Sequence, residues 1–137
     1  MSNLSNLLAS GKFVITAEIN SPVGTDLSKV TDRIQLLRGW VDAFTITDQN
    51  KIGSANSAGL VHVVLSQGVD AIVQIDCRDR NRVGLQSDLL AASILGAENI
   101  LCVTGDLFTD LSYQDVKQVF DISSDELIKI ASDLNFE

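Results

Sequence analysis

A chain of 137 residues with 45% hydrophobic content, one proline and a formal net charge of -8 has the size and apolar share of one compact domain with a buried core. Its pI near 4.4 and the lack of any lysine/arginine run exclude nucleic acid or anionic membrane as the main partner, because both need a broad positive face. No apolar run approaches the roughly 18 residues of a membrane span, and the opening MSNLSNLLASGKF lacks the basic segment and continuous apolar core of a secretory leader, so a cytoplasmic protein is expected.

Along the chain, MSNLSNLLA places Leu4, Leu7 and Leu8 at helical spacing, a short helix able to cover one end or edge of a sheet. KFVITAEI, from Lys12, is a β-branched, apolar run that reads as a buried parallel strand. After the turn PVGTD, Leu27, Val30, Ile34 and Leu37 fall on one helical face. WVDAFTIT from Trp40, GVDAIVQID from Gly68 and GAENILCVTGD from Gly96 then repeat one strand-forming unit, with Asp42, Asp70 and Glu98 spaced by 28 residues. Between them, Leu60, Val61, Val64 and Leu65 mark one helix, and Leu85, Leu89, Ala92, Ile94 and Leu95 another. Gly39, Gly68 and Gly96 suit the left-handed position just past a helix end. SSDELIKIASDLN opens on a capping box, Ser123 with Glu126, and carries Leu127, Ile130, Ala131 and Leu134 on one face.

Four strands alternating with helices imply right-handed crossovers and a parallel sheet, an α/β unit of (βα)4 type filling residues 1–137. Two architectures fit. An open doubly wound sheet is complete at this length, whereas a (β/α)8 TIM barrel needs about 250 residues, so four units make half of one. Either way a ligand sits at the C-terminal ends of the strands. Those ends carry Glu18, Asp48, Asp76 and Asp106, spaced by 30, 28 and 30 residues. Carboxylates on one rim can shift one another's pKa and divide into acid and base roles. Asp48 and Asp76 also suit helix capping. Glu18 stands several residues before any helix can begin, and Gly105 before Asp106 suggests a tight turn where backbone approaches a flat ligand.

QIDCRDRNRVG gathers Arg78, Arg80 and Arg82 just before the third of the long helices, in a chain with ten basic residues. Cations oppose the dipole at a helix N-terminus, so either an anionic ligand, held by helix N–H groups and an arginine fork, or nearby carboxylates must answer them. Cys77 and Cys102 are too few and too far apart for a metal site and are expected in the interior as thiols. His62, in an apolar helical stretch, and Trp40, after a helix end, read as packing residues. With one histidine in the chain, a Ser-His relay has little to stand on. No phosphate-binding glycine fingerprint is present.

The ordered pieces TAEINSPVGTD, FTITD, QIDCRDRN and GAENILCVTGD, between about Lys12 and Asp110, resemble the methylenetetrahydrofolate reductase family, flavin-dependent (β/α)8-barrel enzymes of one-carbon metabolism. The resemblance implies that Glu18 matches the general acid that protonates the folate so that its five-membered ring opens, and that Asp106 matches the acid beside the flavin. It places Thr47, Gln74, Thr104 and Gly105 where the family contacts FAD, and suggests its phosphate or the folate glutamate tail as the anion for Arg78 and Arg80. Here Ser21 precedes a lone Pro22 where the family often has two prolines; Gln74 stands where some members have His, and Thr104 where some have Arg. The implied reaction is reduction of 5,10-methylenetetrahydrofolate to 5-methyltetrahydrofolate, with NAD(P)H, ferredoxin or a partner subunit as electron donor. The chain would then be an N-terminal half of a longer enzyme, or a half-barrel that pairs with a second copy or a second half. A flavin- or folate-binding accessory half-barrel without catalysis is the alternative, and a small acidic receiver-like module a third reading. A lone half-barrel is expected to expose two strand edges and an apolar inner face.

Overall fold

Strands β1 (Thr16–Ile19), β2 (Ala43–Ile46), β3 (Asp70–Asp76) and β4 (Asn99–Val103) form one parallel sheet in the order of the chain. The computed structural model describes residues 2–48, 51, 53–107 and 115–134; positions 108–110 and Asn135, reached by the motifs above, lie outside them. Helices α1 (Asn3–Ala9), α2 (Ser28–Leu37), α3 (Val61–Leu65, entered through a 3-10 turn, Ser57–Leu60), α4 (Arg82–Ile94) and α5 (Ser124–Leu134) complete the fold. A strand order that never reverses, joined by right-handed crossovers, puts the connecting helices on one face. That is the half-barrel of the two expected architectures, since a doubly wound sheet reverses order to cover both faces.

Strand side chains alternate between faces. Ile19, Phe44, Ile46, Val73 and Ile75 turn to the helices and are buried there with Val30, Ile34, Val61, Val64, Leu85, Leu89 and Leu127. Each such side chain contributes about 1.5–3 kcal/mol by leaving water. Glu18, Thr45, Ile72 and Asn99 occupy one row across the other face, and Gln74 pairs with Leu101 in the next. This face mixes a carboxylate, hydroxyls and amides with Ile72, Leu101 and Val103, so the expected apolar inner face is instead largely polar. Threonine reads as a strand former because it is β-branched, yet it brings a hydroxyl to every position it fills.

The first strand is shorter than KFVITAEI suggests. Pairing begins at Thr16 with Ala43, leaving Phe13 90% exposed. Two of the repeated acids at the N-terminal ends of the strands, Asp42 and Asp70, are structural ties. Asp42 accepts from the Ile15 amide at 2.9 Å, and Asp70 accepts from the Leu4 amide, which seats α1 under the sheet. Ser2 caps α1 and donates to Asn99 Oδ1 at 2.7 Å. Gly68 and Gly96 end α3 and α4 at φ +75° and +96°, as their positions imply. Gly39 does not share the left-handed conformation: α2 closes through Arg38 in right-handed geometry, its N–H donating to Ile34 O. The capping box forms, with Ser123 and Glu126 exchanging hydrogen bonds. Trp40 is 77% exposed and His62 is exposed; neither packs in the core, because no described element covers the end of α2 or the outer side of α3. Cys77 is buried and Cys102 half-buried, both as thiols. Among the described residues no helix is long and apolar enough to cross a membrane.

Candidate functional site at the C-terminal strand ends

The end of β3 is shaped by its own acid. Asp76 Oδ1 accepts from the Arg78 amide at 3.1 Å, turning the chain, and Asn81 then caps α4 by accepting from the Gly84 amide at 3.0 Å. The two arginines in this turn point inward. Arg78, 5% exposed, forks onto Asp79 with Nε to Oδ1 at 2.8 Å and Nη2 to Oδ2 at 2.7 Å, and its Nη1 donates to the Asp106 carbonyl at 3.1 Å. Arg80 donates to Asp48, to Asp88 on α4 and, at 2.9 Å, to the Asp76 carbonyl. Four aspartates thus answer two arginines.

Electrostatics follow from this burial. The Asp76 carboxyl is pushed above the usual carboxylate range, first by burial and then by the neighbouring Asp48 charge, against the pull of Arg78 and Arg80. The Arg78 guanidinium is held above its ordinary value by its bond to Asp79. Burial opposes the charge on Arg80, but its pairs with Asp48 and Asp88 outweigh burial and raise its pKa too. The cations opposing the α4 dipole are therefore met from within the protein. Only Arg82 of the three is exposed, 3.9 Å from Glu126.

The four strand-end acids divide. Asp48 and Asp76 are 2% exposed and belong to the arginine cluster. They are not helix caps: the caps that follow them are Asn56 and Asn81. Asp48 also accepts from the Asp76 amide at 3.0 Å, tying β2 to β3 above the last ladder pair. Glu18 and Asp106 are exposed. They stand at the ends of β1 and β4, the two edge strands, with β2 and β3 between them.

The remaining candidates are distributed over this rim. Gln74 is half-buried on the uncovered face, its carbonyl accepting from Ser57 Oγ at 2.7 Å. Thr47 is buried, its hydroxyl accepting from the Ser21 amide at 3.1 Å while Ser21 Oγ donates to Thr47 O at 2.6 Å. A proline at 21 would have no N–H to give, so Ser21 secures the β1 loop through bonds in place of ring stiffness. Two loops are laced above the strands: Gly24 N donates to Gly53 O at 3.0 Å and Ala55 N to Pro22 O at 2.9 Å. Thr104 turns toward α5, its hydroxyl 3.3 Å from that of Ser124. Gly105 adopts φ +88°, and a Cβ there would meet Arg78 Cβ at 2.9 Å and Asp76 Cβ at 3.2 Å. Its close approach is thus to the protein's own side chains. Sequence reasoning noted Ser21 only as a departure from proline and missed its bonds to Thr47, and it missed Asn56 and Asp88 altogether, because a serine, an asparagine and a helical aspartate are ordinary surface residues until a partner is brought to them.

What the arrangement offers is a polar strip on a sheet face that no described element covers, flanked by two exposed carboxylates and resting on a buried ionic base. Gln74 on β3 and Gly105 just past β4 lie at neighbouring strand ends, and Glu18 lies two strands away from Gln74 on β1. That donor set is compatible with a flavin and a pterin. Among the described residues no His/Cys/Asp/Glu group is arranged to hold a metal ion. The family model described as methylenetetrahydrofolate reductase matches residues 3–134, nearly the whole chain. No curated protein matches the sequence.

Proposed function

We propose, since the chain belongs to the methylenetetrahydrofolate reductase family, that it supplies the first four βα units of a barrel that reduces 5,10-methylenetetrahydrofolate to 5-methyltetrahydrofolate with FAD. The observation that carries this reading is the division of the strand-end acids: Glu18 and Asp106 face solvent at the rim while Asp48 and Asp76 are consumed by arginines. Acids of the first kind can serve a substrate, and acids of the second serve the fold.

Glu18 is the proton donor, delivering its proton to a folate nitrogen so that the five-membered ring opens and an exocyclic iminium forms. Asp106, across the sheet, binds the pterin and lowers the energy of that cation by a fixed negative charge. The two carboxylates come from opposite edge strands, so they address a ligand from two sides and need not share one proton. Gln74, Thr47, Thr104 and Gly105 are the residues that would hold the flavin, Gln74 and Gly105 directly and Thr47 and Thr104 by shaping the loops on either side. FAD, when bound and reduced by the electron donor, would supply the hydride for the methylene carbon and return to its oxidised form. Arg78 and Arg80 enter through the loops they hold.

The second reading, an accessory half-barrel that binds flavin or folate without turnover, is favoured by the outer edges of β1 and β4, which pair with no strand among the described residues. Half-reactions separate the two. Glu18→Gln is expected to slow folate reduction by about 10²–10⁴-fold, the usual worth of a general acid, while reduction of the flavin by dithionite or by the donor is unchanged. Equal loss in both half-reactions overturns the role of Glu18, and FAD uptake without any folate turnover by the wild type supports the accessory reading.

A further inference from the structure

We infer that Arg78 is a positioning residue for Asp106, holding the turn after β4 so that the exposed carboxylate stands at a fixed place on the rim. The inference rests on the reading of Asp106 as the flavin- and folate-side acid. Among the described residues, the hydrogen bond that reaches Asp106 is made to its backbone. That backbone is held from β3. Arg78 Nη1 donates to the Asp106 carbonyl at 3.1 Å across 28 residues of sequence. The stem of the same side chain fills the space beside Gly105, where a Cβ would come within 2.9 Å of Arg78 Cβ. The turn is therefore packed on the arginine as well as bonded to it.

Two further contacts stop Arg78 from moving with the turn. Its guanidinium is aimed by the two-point fork on Asp79, and its carbonyl accepts from the Val119 amide at 2.6 Å and the Phe120 amide at 3.4 Å. Phe120 takes φ 42°, a conformation that a non-glycine residue enters at a cost, and it does so where the chain passes over Arg78 on its way into α5. One buried residue thus joins the end of β3, the turn carrying Asp106 and the approach to α5. A surface anion-binding arginine has no need of such an arrangement, whereas a residue that sets the position of another does.

The test uses the full chain, with Arg78→Lys to keep the charge but lose the fork, and Asp79→Asn to release the guanidinium while Arg78 and Asp106 stay intact; the second variant decides if the first does not fold. Backbone order parameters at Gly105 and Asp106 are expected to fall from about 0.85 to below about 0.6 in both variants; unchanged values overturn the inference. FAD affinity is expected to weaken on the order of tenfold, the worth of one charge-assisted hydrogen bond, and adding Arg78→Lys to Asp106→Asn is expected to weaken it no further than Asp106→Asn alone. Losses that multiply in full show Arg78 acting independently of Asp106 and overturn it. A wild-type chain that takes up no FAD refutes the flavin reading instead, and the order parameters still decide whether Arg78 holds the turn.

Discussion

Replacing Arg80 with methionine keeps an unbranched stem and removes the charge at the centre of the rim cluster. Asp48 would then lie with its side chain 0% exposed and retain the Asp76 amide as a donor at 3.0 Å, while its Oδ1 has no hydrogen-bond partner among the described residues. Stranding one partner of a buried pair typically costs about 3–5 kcal/mol, a large share of the 5–15 kcal/mol that usually separates folded from unfolded protein. For a chain of this length each kcal/mol moves the thermal midpoint by about 4 °C, so a drop of roughly 12–20 °C is expected. Thermal unfolding followed by circular dichroism reads this, with an FAD titration run well below the midpoint, where affinity is expected to match the wild type. Adding Asp48→Asn, which removes the stranded charge, is expected to restore part of the loss, so that the double variant is less destabilised than the two single variants summed. A midpoint within about 2 °C of the wild type, together with weakened FAD binding, would refute the reasoning and return Arg80 to the role of anion ligand.

Gly105→Ala and Gly11→Ala form a matched pair, since both glycines have positive φ but only Gly105 has neighbours that a Cβ would strike. The first is expected to cost roughly 2–5 kcal/mol, strain plus overpacking, and the second only the backbone part of about 1–2 kcal/mol; equal urea midpoints would deny the tight packing of Gly105 on Arg78. Burial pushes the Cys102 thiol up to about 11, with the nearby Cys77 adding to the effect. An acid whose pKa is raised on folding holds its proton longer in the folded state, so this contribution to stability is complete below the ordinary thiol value of 9.0 and is lost as pH rises toward about 11. Thiolate absorbance should therefore appear later in the folded protein than in urea, and a Cys102→Ala variant should lose the corresponding alkaline slope; an early thiolate in the folded chain would contradict the burial.

The strands, most helix positions and the Ser123–Glu126 cap were legible in the order of residues, because periodicity, capping and glycine stops are local properties of a chain. Membership of a (βα)4 class followed from the same signals, and the exposed pair Glu18 and Asp106 was already distinguished by its setting in EINSPVG and VTGD. Burial of single aromatic or aliphatic side chains was less legible. Trp40 and Phe13 look like core residues but are left exposed by the described elements, since burial depends on what another element lays over them.

What only the tertiary structure decided is where the rim's charges go. Arg80 meets Asp48 from 32 residues away and Arg78 meets the Asp106 carbonyl from 28, distances that the parallel register closes by bringing successive strand ends side by side. A sequence states that arginines and aspartates are both present; an ion pair requires that they be within a few ångströms and shielded from water. For that reason the chain alone specified a (βα)4 unit with an acidic rim, while folding ordered its strands as a half-barrel and sorted that rim into a buried ionic base beneath two exposed carboxylates.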